Sequence, residues 1–362
     1  MRKFVRSASL SIAFGMLIAA TGGSRAANYN PPMQELRPGL SPAVMQHVDM
    51  AYLLWHGTVA KNFLTQLLWG TIIECRVCGH DHSPFAGSPI AKELAHPYVV
   101  PPVRVFDQLV YLGNNEVGSW ALKTSAGIII FDTLENSRMA KDIIVGGLRK
   151  IGWDPAQIKY VVVTHGHFDH YGGARYLQKT FHPHVLASPA DWIMMEHPPK
   201  RLPPGMSAWP APPHHDMDVT DGERLTLGHT TVRLYITPGH TPETVSALIP
   251  VTWHGHPHML SFYGGTGAPA SIGPTRYAGG LLEYQKSLMR FTKLGIDAGV
   301  DGIISNHPVS DDTPQKVAIL MRRGRNGPNP WIVGKATYIS YMGAWIEAVE
   351  AITAYREGQR PQ

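Results

Sequence analysis

Hydrophobic and polar positions change their rhythm several times along the chain. From Val105, the runs VFDQLVYLG, GSWALKTS and GIIIFDT are short, rich in β-branched and aromatic residues, and separated by turn residues. They predict a meander of strands. Helical spacing follows in SRMAKDIIVGGLRKIG, and the three valines of IKYVVVTH then predict a strand buried on both faces. GGARYLQKTF predicts a helix, HVLAS a short strand and PADWIMME another helix. Strands return in ERLTLGHTTVRLYITPGH, TVSALIPV and HMLSFYGG. GGLLEYQKSLMRFTKLG, DTPQKVAILMRRG and KATYISYMGAWIEAVEAIT predict helices, with a strand in DGIISN after the first. Strands and helices mixed in two halves predict an α/β protein of two sheets with helices outside, an αββα sandwich over residues 103–356.

The chain before this region reads differently. Residues 27–102 predict an N-terminal extension of helix and loop. Helical apolar spacing runs through 41–74, with Ser41 as cap and Pro42 in the first turn, and 79–103 is loop-like. Residues 197–216 are rich enough in proline to predict a long surface loop.

Residues 1–26 carry Arg2, Lys3 and Arg6, an apolar run from Leu10 to Ala20, and then Ser24-Arg25-Ala26. That order predicts a secretory signal peptide, and the apolar run is short for a bilayer span. The formal net charge of +5 includes the four basic residues of this segment, so the rest of the chain carries +1. A near-neutral mature chain gives no support to a nucleic-acid or anionic-membrane partner. A soluble periplasmic or secreted protein acting on a small molecule is the expectation. Cys75 and Cys78 in ECRVCGHDH read as a short-loop disulfide, as two inert thiols, or as a zinc site with His80 and His82.

The polar residues after the valine run carry the chemistry. THGHFDH places His165, His167, Asp169 and His170 within six residues. Alternating histidines let two imidazoles reach one ion from a loop, and Asp169 and His170 can then serve a second position. Four ligands are too few for two ions, and His240 in TPGH and His307 in NHP stand after strand patterns at the right kind of distance.

HxHxDH followed by these two histidines resembles the metallo-β-lactamase superfamily, and the all-His/Asp ligand set is most similar to its third subclass, B3. The resemblance implies one zinc on His165, His167 and His240 and another on Asp169, His170 and His307. It also implies hydrolysis of a cyclic amide by a metal-bridging hydroxide that Asp169 orients. Asp132, ending IIIFD, is then a candidate for orienting a ligand histidine from behind. The stretch LSFYGGTGAP offers no bridging carboxylate at Gly264-Gly265-Thr266, unlike related thioesterases and lactonases. Thr266 is the one hydroxyl there for contacting a substrate, and Glu243 replaces a more usual glycine.

Two other readings remain open. One is a hydrolase of the same fold acting on another ester, lactone or amide; the other is a non-catalytic periplasmic zinc-binding protein. His254, His256 and His258 read as a solvated hairpin tip rather than a metal cluster. His214 and His215 lie in the proline-rich loop, and Trp192, Trp209 and Met194–Met195 read as packing residues.

Overall fold

A computed structural model describes residues 41–55, 96–199 and 208–358. The proposed leader, Cys75, Cys78, His80 and His82 lie outside the described residues.

The meander forms as the pattern predicts, with one strand more. β1 (Val99–Arg104), β2 (Leu109–Asn114), β3 (Gly118–Thr124) and β4 (Gly127–Phe131) pair antiparallel in chain order. β5 (Ile158–Val162), β6 (His184–Ala187) and β7 (Met217–Asp218) continue the sheet in parallel. β1 corrects the loop-like reading of its residues. Pro101 and Pro102 lack the N–H that an inner strand needs, yet they fit an edge strand whose register shifts between Val100 and Val103.

The second sheet has five strands, ordered β12 (Gly302–Ile304), β11 (His256–Phe262), β10 (Val245–Trp253), β9 (Thr230–Ile236) and β8 (Arg224–Leu227). His254 and Gly255, both at positive φ, make the turn between β10 and β11. The three nearby histidines therefore diverge: His254 and His256 are exposed, while His258 pairs with Asp301 at 2.7 Å.

Three buried clusters define the layers. Leu122, Ile129, Phe131 and Val162 of the first sheet meet Leu234, Ile249, Leu260 and Phe262 of the second. Ile128, Ile130, Val161 and Val163 face outward onto the helical stretch α2 (Ser137–Met139, Ala140–Val145 and Gly146–Lys150), α4 (Ala174–Phe181) and α5 (Pro189–Glu196). Alternate residues of β4 thus enter opposite cores, which is why that strand is apolar throughout.

Behind the second sheet, Leu248 and Ile303 pack with Tyr284, Leu288 and Phe291 of α6 (Leu281–Asp297) and with Trp345 and Val349 of α8 (Lys335–Gly358). α7 (Thr313–Arg323) adds Val317 and Leu320 to the core between the sheets. α1 (Pro42–Trp55) starts at Ser41, whose hydroxyl accepts from Val44 N at 3.3 Å, and sends Val44, Val48 and Ala51 into the α6–α8 core. The remainder of the predicted helix, 56–74, lies outside the described residues.

Candidate metal centre

The candidate ligands come from chain segments that follow strands at one end of the sandwich. β5 ends at Val162, and residues 163–167 carry the chain into a single helical turn, α3 (Phe168–Tyr171). Thr164 O accepts from Val245 N at 2.7 Å, fixing this segment to the start of β10. His240 follows β9 in a turn where Gly239 has φ 146°, and its added Cβ would strike Tyr284 at 2.4 Å. His307 follows β12 and precedes a short 3₁₀ turn, Pro308–Ser310.

These segments bring the six predicted residues together as two triads. His240 Nε2 lies 3.1 Å from His165 Nε2 and 3.0 Å from His167 Nδ1. His170 Nε2 lies 3.2 Å from His307 Nε2 and 3.3 Å from Asp169 Oδ2. The triads adjoin, with the His165 and His170 rings 4.0 Å apart.

The opposite edges of the rings decide which nitrogen faces inward. His240 Nδ1 lies 2.7 Å from Gly267 O, and His307 Nδ1 lies 2.9 Å from Glu116 O. A carbonyl only accepts, so both Nδ1 atoms carry hydrogen and both Nε2 atoms present lone pairs. His170 Nδ1 likewise donates to Asp132 at 2.8 Å. Thr164 Oγ1 donates to Asp132 Oδ2 at 2.8 Å and thereby accepts from His165 Nδ1 at 3.1 Å. His167 alone turns Nδ1 inward.

Lone pairs converging at about 3 Å repel unless a cation or proton lies between them. Tetrahedral ligands about 2.0–2.1 Å from zinc would stand roughly 3.3 Å apart, so the three-histidine set fits such an ion.

Electrostatics agree with that preparation. Burial lowers His167 to about 4 and drives His165 and His240 well below the usual histidine range. These imidazoles are therefore neutral and able to coordinate. At the second triad, burial opposes charge on Asp169, but His170, His307 and His167 outweigh it and hold the carboxyl far below its ordinary range. Burial also works against His170⁺, and Asp169 and Asp132 overcome it, raising His170 to about 10. A cation entering here would take the place of that proton.

Asp132 stands where the sequence suggested. Its backbone is left-handed at φ 59°, and its side chain is fully buried. It accepts from Thr164 N at 2.7 Å and from Asn306 Nδ2 at 3.1 Å, in addition to the bonds above.

Thr266 is buried between Gly265 and Gly267; Cβ atoms added to these glycines would meet His240 at 2.6 and 3.1 Å. Trp209, read as a packing residue, sets its ring edge-on to His167 at 5.9 Å. Its loop is tied to α3 and α4 by Tyr171 Oη donating to Pro210 O and Arg175 Nη1 donating to Pro212 O. His215 instead stacks on Trp192 at 4.5 Å, and Trp192 and Met195 belong to the outer core.

Sequence reasoning missed several supports. Asn306 donates to Asp132, Thr164 and Gly264 O, and only its place in NHP hinted at a role. Asp191 accepts from Gly166 N at 3.1 Å, between the first two histidines, and from Thr241 Oγ1 at 3.3 Å, beside the third. Glu243 accepts from Ala190 N at 2.9 Å, a free N–H in the first turn of α5, beside the cap that Ser188 supplies. Glu116 and Glu135 are half-buried; burial first, and then neighbouring carboxylates including Asp169, raise both carboxyls.

A family model described as the metallo-β-lactamase superfamily matches residues 114–251. An uncharacterized protein of Mycobacterium tuberculosis is 31% identical over 126 residues, covering 33% of this chain and 56% of that protein. The chain therefore spans about half the length of such curated relatives. A hydroxyacylglutathione hydrolase of Maricaulis maris is 32% identical over 100 residues, 28% of this chain and 31% of that protein.

Among solved structures, a subclass B3 metallo-β-lactamase of Bradyrhizobium japonicum has 26% identity and a TM-score of 0.56, covering 67% of this chain and 89% of that one. A subclass B3 enzyme from a soil metagenome has 25% identity and a TM-score of 0.59, with 71% and 97% covered.

Proposed function

We propose that this chain, which matches the metallo-β-lactamase superfamily over residues 114–251 and resembles its subclass B3 structures, is an exported dizinc hydrolase opening cyclic amides. The observation that supports this most is the meeting of two ligand triads, His165–His167–His240 and Asp169–His170–His307, at one end of the sandwich. Bound there, two zinc ions would supply a water of lowered pKa and positive charge beside a carbonyl oxygen.

The chain's own residues do the rest. Asp169, ionised throughout the working pH range, would help hold one of these ions and would offer its other oxygen to orient the attacking water. Asp132 and Asn306 keep His170 and the loop at Thr164 in place. Trp209, edge-on to His167, would border the first triad, and Thr266 would offer a hydroxyl to the substrate. The reading of residues 1–26 as a leader supports a periplasmic or secreted location. Among the described residues, no helix is long and apolar enough to cross a membrane.

A second reading keeps the chemistry and changes the substrate to another ester, lactone or amide. It is favoured by the single hydroxyl in the Gly264–Gly267 stretch and by Glu116 and Glu135 beside Asp169, whose charge disfavours an anionic substrate. The match to a protein named hydroxyacylglutathione hydrolase points the same way.

The test is a zinc count on the purified mature chain with rates on a chromogenic cephalosporin, a carbapenem, a penicillin and an acyl-lactone. Turnover of the β-lactams supports the first reading, and turnover of the lactone alone the second. Asp169→Asn should abolish hydrolysis while retaining most of the zinc; unchanged rates would refute its assigned role.

A further inference from the structure

A third cluster of ligating side chains lies between the first and last described helices, away from the proposed centre. His47 of α1 sets Nδ1 2.7 Å from Glu347 Oε2 and 3.0 Å from Glu350 Oε2, both on α8. Glu347 and Glu350, three residues apart, share a helix face. The three ligand atoms lie within 4.8 Å of one another.

The geometry is incomplete as an ion pair. His47 Nδ1 carries one hydrogen for two carboxylates, 2.7 Å from Glu347 and 3.0 Å from Glu350. Glu350 Oε2, on a side chain only 10% exposed, has that same Nδ1 at 3.0 Å and no donor of its own. The other oxygen of Glu350 is held by Gln285 Nε2 of α6, which fixes the unserved oxygen toward the cluster. Even a protonated His47 leaves two carboxylates facing a single positive charge, and a buried carboxylate lacking its full set of partners is costly.

We propose that His47, Glu347 and Glu350 form a third cation site, which takes a divalent transition ion such as zinc and ties α1 to α8. One imidazole nitrogen and two carboxylate oxygens are a donor set for zinc, and a dipositive ion balances the two carboxylates. The imidazole is 28% exposed, so the ion enters from solvent and completes its coordination with water. Val44, Val48 and Ala51 already hold α1 against the α6–α8 core. The ion therefore locks a docked helix and is not needed to recruit it. This site is independent of the reading of the hydrolytic centre.

The test compares zinc bound per chain in the wild type, His47→Ala and Glu350→Gln. Each is stripped with chelator, reloaded with zinc and passed through a desalting column before counting. Both variants should hold one zinc fewer than the wild type, with hydrolytic rates within about twofold. Equal counts in all three overturn the proposal, whatever the total. Should a variant fail to fold, a zinc-edge anomalous map of wild-type crystals decides instead: a peak between His47 and Glu350 supports the site, and its absence from zinc-loaded crystals refutes it. Loss of the hydrolytic centre would show as missing zinc at the other triads and would leave the difference of one intact.

Discussion

Asp132 Oδ2 stands 2.8 Å from His170 Nδ1, and neither side chain is exposed to solvent. The same carboxylate accepts from Thr164 N, Thr164 Oγ1 and Asn306 Nδ2. One side chain at the end of β4 therefore joins the loops after β5 and β12 to a candidate ligand on α3.

Asp132→Asn should weaken zinc binding at the second triad by about 10–100-fold. An amide has one acceptor oxygen where the carboxylate has two, so at least one of its four donors loses a partner. Destabilisation of about 1–3 kcal/mol is expected. Zinc titration against a chromophoric chelator and a denaturation curve measure the two effects separately. Normal zinc affinity in the variant would show that the His170 ring is held by packing alone.

Gly172 closes the turn that carries Asp169 and His170. Its φ of −57° is open to any residue, so the requirement for glycine is steric. An added Cβ would lie 1.9 Å from Glu135 O and 2.1 Å from Glu135 C, both rigid backbone. Gly172→Ala should cost about 3 kcal/mol and displace the second triad. Gly146→Ala is the control, since its Cβ meets nothing closer than Lys141 O at 3.7 Å and its backbone is helical. It should be neutral or slightly stabilising in the same denaturation assay.

The parts of this molecule that were legible in the sequence are those written in local order. Short β-type runs between turn residues marked β2–β4, the valine triplet marked β5, and HxHxDH put four candidate ligands side by side. β1 escaped because two prolines suit a loop as well as a bulged edge strand. Asn306 and Asp191 escaped for another reason. Their partners lie 142 residues away at Thr164 and 25 away at Gly166, and no periodicity records a contact between distant segments. The carbonyls of Glu116 and Gly267, which turn His307 and His240, are backbone groups with no sequence signature at all.

Glu243, which stands where the family pattern more usually has glycine, has a structural partner in the fold. Its carboxylate accepts from Ala190 N near the start of α5, where negative charge also meets the helix dipole. Glu243→Ala should cost about 1 kcal/mol of stability and leave substrate preference unchanged. Relative rates on two substrates, measured beside a thermal melt, check this. A changed preference with an unchanged melt would place Glu243 in the substrate cleft instead.

Asp311 and Lys316 are both buried, and Asp311 Oδ2 and Lys316 Nζ have no hydrogen-bond partner among the described residues. Burial raises Asp311 to about 6, against the pull of Lys316, and lowers Lys316 to about 8, against the pull of Asp311. Each shift disfavours the charged form in the fold. For Asp311 the stabilising contribution is complete below its unfolded pKa near 4 and is lost as pH rises through 6. For Lys316 it is complete above about 10.5 and is lost as pH falls through 8. Between pH 6 and 8 both groups are charged and the pair contributes least. Replacing both at once, as Asp311→Asn with Lys316→Met, should therefore raise stability at pH 7 by about 1–4 kcal/mol and flatten the dip between 6 and 8. Lys316→Met alone leaves a buried carboxylate without its countercharge and should cost about 3–5 kcal/mol at pH 7, recovering toward pH 4 as Asp311 takes up a proton. Urea denaturation of the three proteins from pH 4 to 9 measures this. A double variant less stable than the wild type at pH 7 would show that the pair is net favourable, and that the attraction between the two charges outweighs what their burial costs.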